Sequence, residues 1–313
     1  MRTHPWIAVC LFGSACESQV IESDLGRLPW SDDPPAEPIP YGFWGLNGFV
    51  DAEGLAHTRD TFGIDTFSTS TRHPHYAVHD LLPAVRDAGM TVNLRLVGDH
   101  AYYTDADGNF DLDAWKAMVD EWVDSGAQEF IDDGTFGHHM LIDDITEFPG
   151  QGPTGDELET MAVYSGRVLP GLATMVRANA SELPAPTGGR FEWLDASVNQ
   201  YLALDGDIVA YAEAQHDAAG ALGIGVVMGL NMADGGDGSS GQAGWTEGKW
   251  AMSADEIRHY GTVLSTVPGT RLFLNWEYDA EELWSDGSVG SDYFDGTELR
   301  GALVELGQRL DGG

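Results

Sequence analysis

The chain has 313 residues, enough for one large α/β barrel or two ordinary domains, and 42% of them are apolar, which suffices for a full core. Its 51 acidic and 15 basic side chains give a formal net charge of −36. Such a surface repels nucleic-acid phosphates and anionic lipid headgroups, so the composition excludes nucleic-acid binding and membrane attachment by charge. The charge is typical of a protein kept soluble in a salty medium.

The first 15 residues have the pattern of an export signal. Arg2 precedes a short apolar run, and small residues ending at Ala15 then mark a cleavage site. Cys16 follows at once, which resembles the lipobox of bacterial lipoproteins, although Gly13 stands where leucine is usual. We predict an exported protein, either extracellular, periplasmic or lipid-anchored through Cys16. The alternative is a buried N-terminal strand, since the run is too short to span a bilayer.

Three segments follow from this interpretation. Residues 1–15 are the predicted signal peptide, and residues 16–39 are polar and proline-rich, as in a tether or an extended arm. Residues 40–313 form one predicted barrel domain, which we expect to be a monomer. Cys10 would leave with the signal, so the mature chain would keep Cys16 as its single cysteine. A single cysteine cannot form an internal disulfide, and the sequence predicts no thiolate chemistry.

Seven strand-like apolar runs alternate with amphipathic helical stretches beyond residue 40. Gly89, Gly223 and Gly269 each precede such a run, and Thr154 and Ser253 begin capping boxes of two helices. Repeated βα units predict an α/β fold, namely a parallel (β/α)₈ TIM-type barrel. The eighth strand of this barrel is either irregular, within residues 284–294, or missing. The predicted strands are residues 41–49, 64–70, 91–97, 138–145, 193–201, 225–231 and 271–278.

The sequence predicts no cofactor and no metal. Its glycines lack the spacing of a dinucleotide-binding fingerprint, and the glycine-rich residues 234–241 lack the Lys-Ser/Thr of a phosphate-binding loop. The acidic residues 105–113 lack the sixth-position glycine and the final acid of a calcium loop. His73 and His75 form an H-x-H pair that could hold zinc, but Pro74 favours loop and cap positions for them.

Polar residues follow every predicted strand, where the active sites of such barrels form. Packing or a helix cap explains any one of these residues, but not the whole set. Amides, acids, arginine and exposed aromatic rings together suit a ligand with many hydroxyls and apolar faces, which describes a sugar. The predicted substrate-binding residues are Trp44, Asn47, Arg95, Asp99, His100, Tyr102, Gln200, Tyr201, Asn231, Asn275, Trp276 and Tyr278.

Two apolar strands end abruptly in acidic residues. Asp143 and Asp144 end the run LIDD, and Glu277 ends the run LFLNWE. A buried carboxylate is costly unless it is paired or functional. Strand alternation places Asp144 on the face of Met140 and Glu277 on the face of Phe273. If both faces point inward, the two carboxylates face each other across the barrel mouth, as glycosidic cleavage requires. The alternative is an Asp cap and a surface glutamate.

This arrangement resembles the (β/α)₈ glycoside hydrolases, in which an acid on the fourth strand works with a nucleophilic glutamate on the seventh. The resemblance implies Glu277 as the nucleophile and Asp144 or Glu147 as the acid. Asp143 is the remaining predicted catalytic residue, and the Asp143-Asp144 pair departs from the Asn-Glu pair that is usual on the fourth strand. Residues 40–310 also resemble secreted bacterial barrel proteins of unassigned function. The prediction is an enzyme that cleaves a poly- or oligosaccharide; the alternatives are a non-catalytic glycan-binding surface lipoprotein and a metal-dependent barrel hydrolase.

Overall fold

The eight β-strands of the protein lie side by side in chain order and close into one parallel barrel. The computed structural model describes residues 34–45, 51–276 and 296–312. β8 pairs with β1, so no strand of the barrel has a free edge. This is the predicted (β/α)₈ TIM-type fold. The strands are β1 Tyr41–Trp44, β2 Thr66–Ser70, β3 Thr91–Arg95, β4 Phe136–Ile142, β5 Ala173–Arg177, β6 Ala196–Tyr201, β7 Gly225–Leu230 and β8 Thr270–Asn275.

Helices surround the barrel and join successive strands. They are α1 Ala52–Phe62, α2 Pro74–Tyr76, α3 Leu82–Asp87, α4 Leu112–Asp120, α5 Gln128–Asp132, α6 Gly155–Val168, α7 Ile208–Leu222, α8 Ala254–Ser265 and α9 Thr297–Leu310. A π-helical segment, Ala77–Leu81, joins α2 to α3. The capping boxes predicted at Thr154 and Ser253 begin α6 and α8. Within the described ranges no helix is long and apolar enough to cross a membrane.

β5 is the strand that the sequence analysis did not identify. The other seven strands each overlap a predicted one. The barrel is complete without residues 284–294, which lie outside the described part of the chain. β5 precedes the predicted strand at residues 193–201. That strand and the two predicted after it are therefore each one position later in the barrel than predicted. The run that precedes Glu277 is therefore the eighth strand and not the seventh.

Two apolar layers stabilise the barrel. The interior is filled by Trp44, Met140, Met175, Ala196, Val198, Val227, Leu272 and Leu274. A larger layer between the strands and the helices includes Phe43, Phe67 and Phe273. Full burial of one such side chain stabilises the fold by about 1.5–3 kcal/mol. The arm joins this fold at Ile39, which is buried and donates its backbone N–H to the carbonyl of Leu310 at 2.8 Å.

Strand alternation breaks at the end of β4. The register against β5 shifts between Met140 and Ile142, and Met140 belongs to the interior layer while Ile142 belongs to the outer one. A β-bulge of this kind changes the face on which every later side chain lies. Asp143 consequently turns toward the barrel mouth, which alternation alone did not predict.

The alternation predicted for β8 has the opposite sense in the structure. Leu272 and Leu274 lie in the interior layer with Trp276 packed against them, whereas Phe273 lies in the outer layer. The face of Phe273 therefore points toward the helices, so the inward orientation predicted for that face is wrong. Glu277 itself lies outside the described residues.

Candidate functional site

A cavity of about 410 Å³ opens at the C-terminal ends of β4 to β8, the end of the barrel where enzymes of this fold carry their active sites. Among the described residues, acids, amides, two cations and two tryptophans line this cavity together. The lining residues are Asp144, Thr146, Glu147, Arg177, Ala178, Asn179, Glu182, Val198, Gln200, Leu202, Asn231, Asp234, Trp245, Thr246, Lys249 and Trp276. Five of the predicted site residues are among them: Asp144, Glu147, Gln200, Asn231 and Trp276.

Asp143 forms an ion-paired cluster beside this cavity. One carboxylate oxygen accepts a hydrogen bond from Nη1 of Arg95 at 2.5 Å, and the other accepts one from Nε of Arg177. Its backbone carbonyl accepts a hydrogen bond from Nε2 of His100 at 2.6 Å. Both oxygens of Asp143 are therefore engaged by arginines, which favours a structural role for this predicted catalytic residue.

Asp144 faces the cavity in a different environment. Its backbone φ is +21°, in a region that residues other than glycine rarely occupy. Its carboxylate accepts hydrogen bonds from the backbone N–H of Thr146 at 3.0 Å and from the Thr146 hydroxyl at 2.6 Å. Nη2 of Arg177 lies 3.4 Å from its other oxygen. The threonine turn and the arginine fix the direction in which this carboxylate points.

Glu182 stands at the exposed rim of the same cavity, in the 3₁₀ turn Ala180–Glu182 that follows β5. Partial burial raises the pKa of its carboxyl above the ordinary value, and the charges of Asp144 and Asp205 raise it further. Hydrogen bonds from Asn179 act against that rise in the pKa. A carboxyl with a raised pKa and a carboxylate held by an arginine therefore line the same cavity.

Gln200, at the end of β6, forms the floor of the cavity and is only 8% exposed. Its Oε1 accepts a long hydrogen bond of 3.4 Å from Nη1 of Arg177. Its Nε2 is buried and finds no hydrogen-bond partner among the residues that the structure describes. A buried amide donor without a partner is uncommon in folded proteins and costs about 1–3 kcal/mol when nothing binds it.

The loop after β7, residues 231–252, forms the opposite wall. Asp234 is buried and accepts hydrogen bonds from the Thr246 backbone N–H at 2.8 Å and the Thr246 hydroxyl at 2.6 Å. Trp245 stacks on Trp276 with ring centroids 5.3 Å apart and planes at 27°. Trp245 remains 49% exposed, so the stacked pair presents an aromatic face at the mouth. Asp234 thus fastens the segment that carries this face.

Several predicted residues lie near the cavity without lining it. Trp44 belongs to the interior layer, Arg95 and His100 belong to the Asp143 cluster, and Asp99 is exposed with its carboxylate 3.2 Å from Arg95. Tyr102 is also exposed and packs under the guanidinium of Arg72, 4.3 Å from the ring centroid.

Two predicted binding residues face away from the mouth. Tyr201 donates its hydroxyl to the carbonyl of Gly206 at 2.6 Å among the packed helices. Asn275 is fully buried, accepts from the backbone N–H of Leu230 at 3.0 Å and contacts the hydroxyl of Tyr41. Both side chains alternate outward from their strands, so neither can contact a ligand in this cavity. Asn47, Glu277 and Tyr278 lie outside the described residues.

The two histidines of the metal hypothesis lie on the surface. His73 precedes α2 at its N-cap position, and the ring of His75 packs 4.4 Å from that of His79. In the described ranges, no three His, Cys, Asp or Glu side chains are grouped so that they could hold a metal ion. The acidic segment 105–113, which was compared with a calcium loop, contains a turn. Asp105 accepts hydrogen bonds there from the backbone N–H groups of Asp107 and Asn109.

Sequence reasoning missed the residues contributed by β5 and by the β7 loop, namely Arg177, Asn179, Glu182, Asp234, Trp245, Thr246 and Lys249. A signal for β5 was present. Gly171, with φ of +86°, precedes the strand as Gly89, Gly223 and Gly269 precede theirs. The β7 loop has no periodicity that could have indicated which of its side chains return to the mouth.

No protein-family model matches this sequence, and no curated protein is recognisably similar to it. Solved structures do share its fold. The catalytic domain of the major endoglucanase from Xanthomonas campestris pv. campestris superposes with a TM-score of 0.54 at 11% identity, over 91% of this chain and 99% of that one.

Two further structures show how varied the proteins of this fold are. A D-psicose 3-epimerase solved with D-fructose gives a TM-score of 0.51 at 12% identity, over 88% of this chain and 100% of its own. A family 30 subfamily 8 xylanase from Clostridium acetobutylicum gives a TM-score of 0.51 at 10% identity, over 89% of this chain and 75% of that one. The structural neighbours thus include glycoside hydrolases and an epimerase. At such identities the likeness shows the fold alone.

Proposed function

We propose that the protein hydrolyses a glycosidic bond of a saccharide held in the mouth cavity, with Glu182 as the general acid and Asp144 as the nucleophile or general base. The observation that carries the proposal is the raised pKa of Glu182 in the same cavity as Asp144. The pair replaces the predicted pair of Asp144 with Glu277. Glu147 also lines the cavity and remains a candidate acid.

The two carboxyl groups are suited to different roles. Glu182 retains its proton to a higher pH than an ordinary glutamate, which a general acid needs in order to protonate the leaving oxygen. Arg177 and the two hydrogen bonds from Thr146 fix the direction of the Asp144 carboxylate in the cavity, where it can attack the sugar or a water molecule. Glycoside hydrolases use two carboxyl groups in these roles.

The rest of the cavity suits a saccharide. The aromatic face of Trp245 and Trp276 can stack on the apolar face of a sugar ring, while Gln200 and Asn231 can bond its hydroxyl groups. The fold shared with an endoglucanase and a xylanase is compatible with this chemistry, and it is equally compatible with other reactions on sugars. The proposal therefore depends on the site and not on the fold.

Initial rates on a panel of oligosaccharides test the assignment. Glu182→Gln should lower turnover about 100- to 10,000-fold, because the leaving group loses its proton donor. Asp144→Asn should do the same. Glu121→Gln, the same change at an exposed position at the end of α4, is the matched control and should leave the rate unchanged. Each variant should melt within a few degrees of the wild type.

Three outcomes would contradict the proposal in different ways. Full activity of Glu182→Gln together with inactivity of Glu277→Gln would restore the pair expected from sequence. Inactivity of Glu147→Gln alone would make Glu147 the acid. Binding of an oligosaccharide without turnover by the wild type would favour the non-catalytic glycan-binding protein.

The pH dependence gives an independent check. Because the pKa of Glu182 is raised and the acid must be protonated, kcat/KM should fall as the pH rises through that pKa. The fall should lie above the ordinary glutamate range and should be absent from the residual activity of Glu182→Gln. A profile that is flat on its alkaline side would exclude Glu182 as the acid.

A further inference from the structure

We infer that the saccharide is anionic and that Lys249 binds its carboxylate or sulfate group in the mouth cavity. This inference rests on the proposed function, since it names the substrate class of the same site. An ammonium group is a compact point charge that pairs with either kind of anion, so the shared chemistry is a negatively charged sugar substituent.

The placement of Lys249 is the first observation. The chain contains only two lysines among its 15 basic residues, against 51 acidic ones. Lys116 lies on α4 with its ammonium 3.9 Å from Asp113. Lys249 lines the cavity, is partly buried, and forms no ion pair with any residue in the described ranges. The charge of Asp205 lies near enough for Lys249 to oppose the rise in the pKa of that carboxyl, but the two form no ion pair, so the ammonium group can still bind an anion of the ligand.

Gln200 supplies a second, independent observation in the same cavity. Its buried Nε2 is a donor without a partner in the described ranges, as noted above. An amide donor of this kind would gain a hydrogen bond from any ligand oxygen that reached it. Anionic oxygens accept stronger hydrogen bonds than hydroxyl groups do, so an acidic sugar would satisfy this donor best.

The charges of the cavity are segregated, which lets an anion approach. Asp144, Glu147 and Glu182 follow β4 and β5, whereas Lys249 and the stacked tryptophans belong to the wall formed by β7 and β8. Among the described residues, Asp234 is the one carboxylate on that wall that lines the cavity, and both of its oxygens accept hydrogen bonds from Thr246. A sugar stacked on Trp276 could therefore direct an acidic group to Lys249 and its glycosidic oxygen toward Glu182.

Calorimetric titration with three oligosaccharide classes tests this inference. The probes are an oligogalacturonate, a sulfated galactan oligosaccharide and a neutral cello-oligosaccharide of equal length. Wild-type protein should bind one of the acidic probes more tightly than the neutral one, and added salt should weaken that preference. Lys249→Met should reduce affinity for the acidic probe about 10- to 100-fold and leave neutral binding unchanged.

The second lysine of the chain provides the matched control. Lys116→Met removes the same charge outside the cavity and should not change any of these affinities. Lys249→Arg, which keeps the charge, should retain most of the acidic preference. If Lys249→Met fails to fold, Lys249→Gln and the salt dependence of the wild type carry the test.

The outcomes separate this inference from the proposed function. Equal affinity for acidic and neutral probes, or equal losses in Lys249→Met and Lys116→Met, would overturn the inference and leave glycoside hydrolysis intact. An acidic oligosaccharide bound through Lys249 but never cleaved would support the inference and remove the hydrolase proposal. Failure to bind any saccharide would overturn both. The acidic probe that binds more tightly distinguishes carboxylate from sulfate.

Discussion

The two ends of the barrel are both polar, but they differ in how their polar groups are paired. At the N-terminal end a cavity of about 220 Å³ is lined by Asp65, Thr66, Asn93, His138 and Arg271, among others. Nδ2 of Asn93 donates to the hydroxyl of Thr66 and to the carbonyl of Phe67, both at 3.0 Å. Its Oδ1 lies 2.8 Å from Nδ1 of His138. These groups satisfy one another.

At the C-terminal end the pairing is incomplete. The Gln200 Nε2 lacks an acceptor in the described ranges, Lys249 forms no ion pair there, and Asp144 has a positive φ. Local strain and unsatisfied polar groups are tolerated where a ligand will use them. Polarity alone therefore does not distinguish the two ends of the barrel, whereas the pairing of their polar groups does.

The largest effect should come from the paired carboxylate at the mouth. Asp143→Ala leaves Arg95 and Arg177, 12% and 20% exposed, without their shared partner. Unfolding in urea should show a loss of about 3–5 kcal/mol, as for one partner of a buried ion pair. The control is Asp99→Ala, which removes an exposed partner of Arg95 and should cost less than about 1 kcal/mol. Similar losses for the two variants would show that the Asp143 cluster is not effectively buried.

The second largest loss of stability should come from the hydrogen bonds of Asn93 at the N-terminal end of the barrel. Asn93→Ala removes the donor for the Phe67 carbonyl and the partner of His138, and it leaves those groups buried. We expect a loss of about 2–3 kcal/mol in the free energy of unfolding. Ligand binding at the mouth should be unchanged. A changed affinity would mean that the two ends of the barrel are coupled.

A pH effect of intermediate size should come from His139, which is fully buried on β4. Burial lowers its pKa to about 3, so the folded protein leaves it neutral while the unfolded chain protonates it near pH 6.5. Stability is therefore lost as the pH falls below 6.5. Between pH 7.5 and 5.5 the loss should be about 1.4 kcal/mol. His139→Leu should remove this component, and an unchanged slope in the variant would assign it to other groups.

The smallest effect on stability should come from Gln200, whose Nε2 has no partner in the described ranges. Gln200→Leu removes this unpaired donor but also the long hydrogen bond from Arg177, and because the two effects oppose each other the free energy of unfolding should change by no more than about 0.5 kcal/mol. Saccharide affinity should nevertheless fall, because the cavity loses a donor. Together with Asn93→Ala, this variant gives the sharpest contrast between the two ends. A large loss of stability in Gln200→Leu would show that the amide is structural.

The sequence predicted the fold well because the fold depends on local patterns. Seven strands and the capping boxes at Thr154 and Ser253 could be read from apolar runs and side-chain spacing. β5 was missed although it is as long as β2 and β3 and ends in arginine as β3 does, so neither its length nor its last residue explains the miss. The bulge after Met140 could not be predicted, since it depends on the register against β5, which is a tertiary property.

The candidate site was predicted in part for the same reasons. Asp144, Glu147 and Gln200 follow strands directly and were found, whereas Glu182 was lost with its strand. Trp245 and Lys249 reach the mouth through a long loop fixed by the contacts of Asp234, and such contacts leave no periodic trace in sequence. A single missed strand also moved Glu277 from the seventh position to the eighth, which weakens its analogy with a nucleophile on the seventh strand.

Because lysine is scarce in this protein, reagents that react with amines modify it at few positions. Reagents that acylate amines find only two side chains to modify, Lys116 on the surface of α4 and Lys249 inside the mouth. The first serves as an internal reference for the reactivity of the second. Mass spectrometry of the two acylated positions would thus report occupancy of the mouth directly, without a fluorescent ligand or an engineered label.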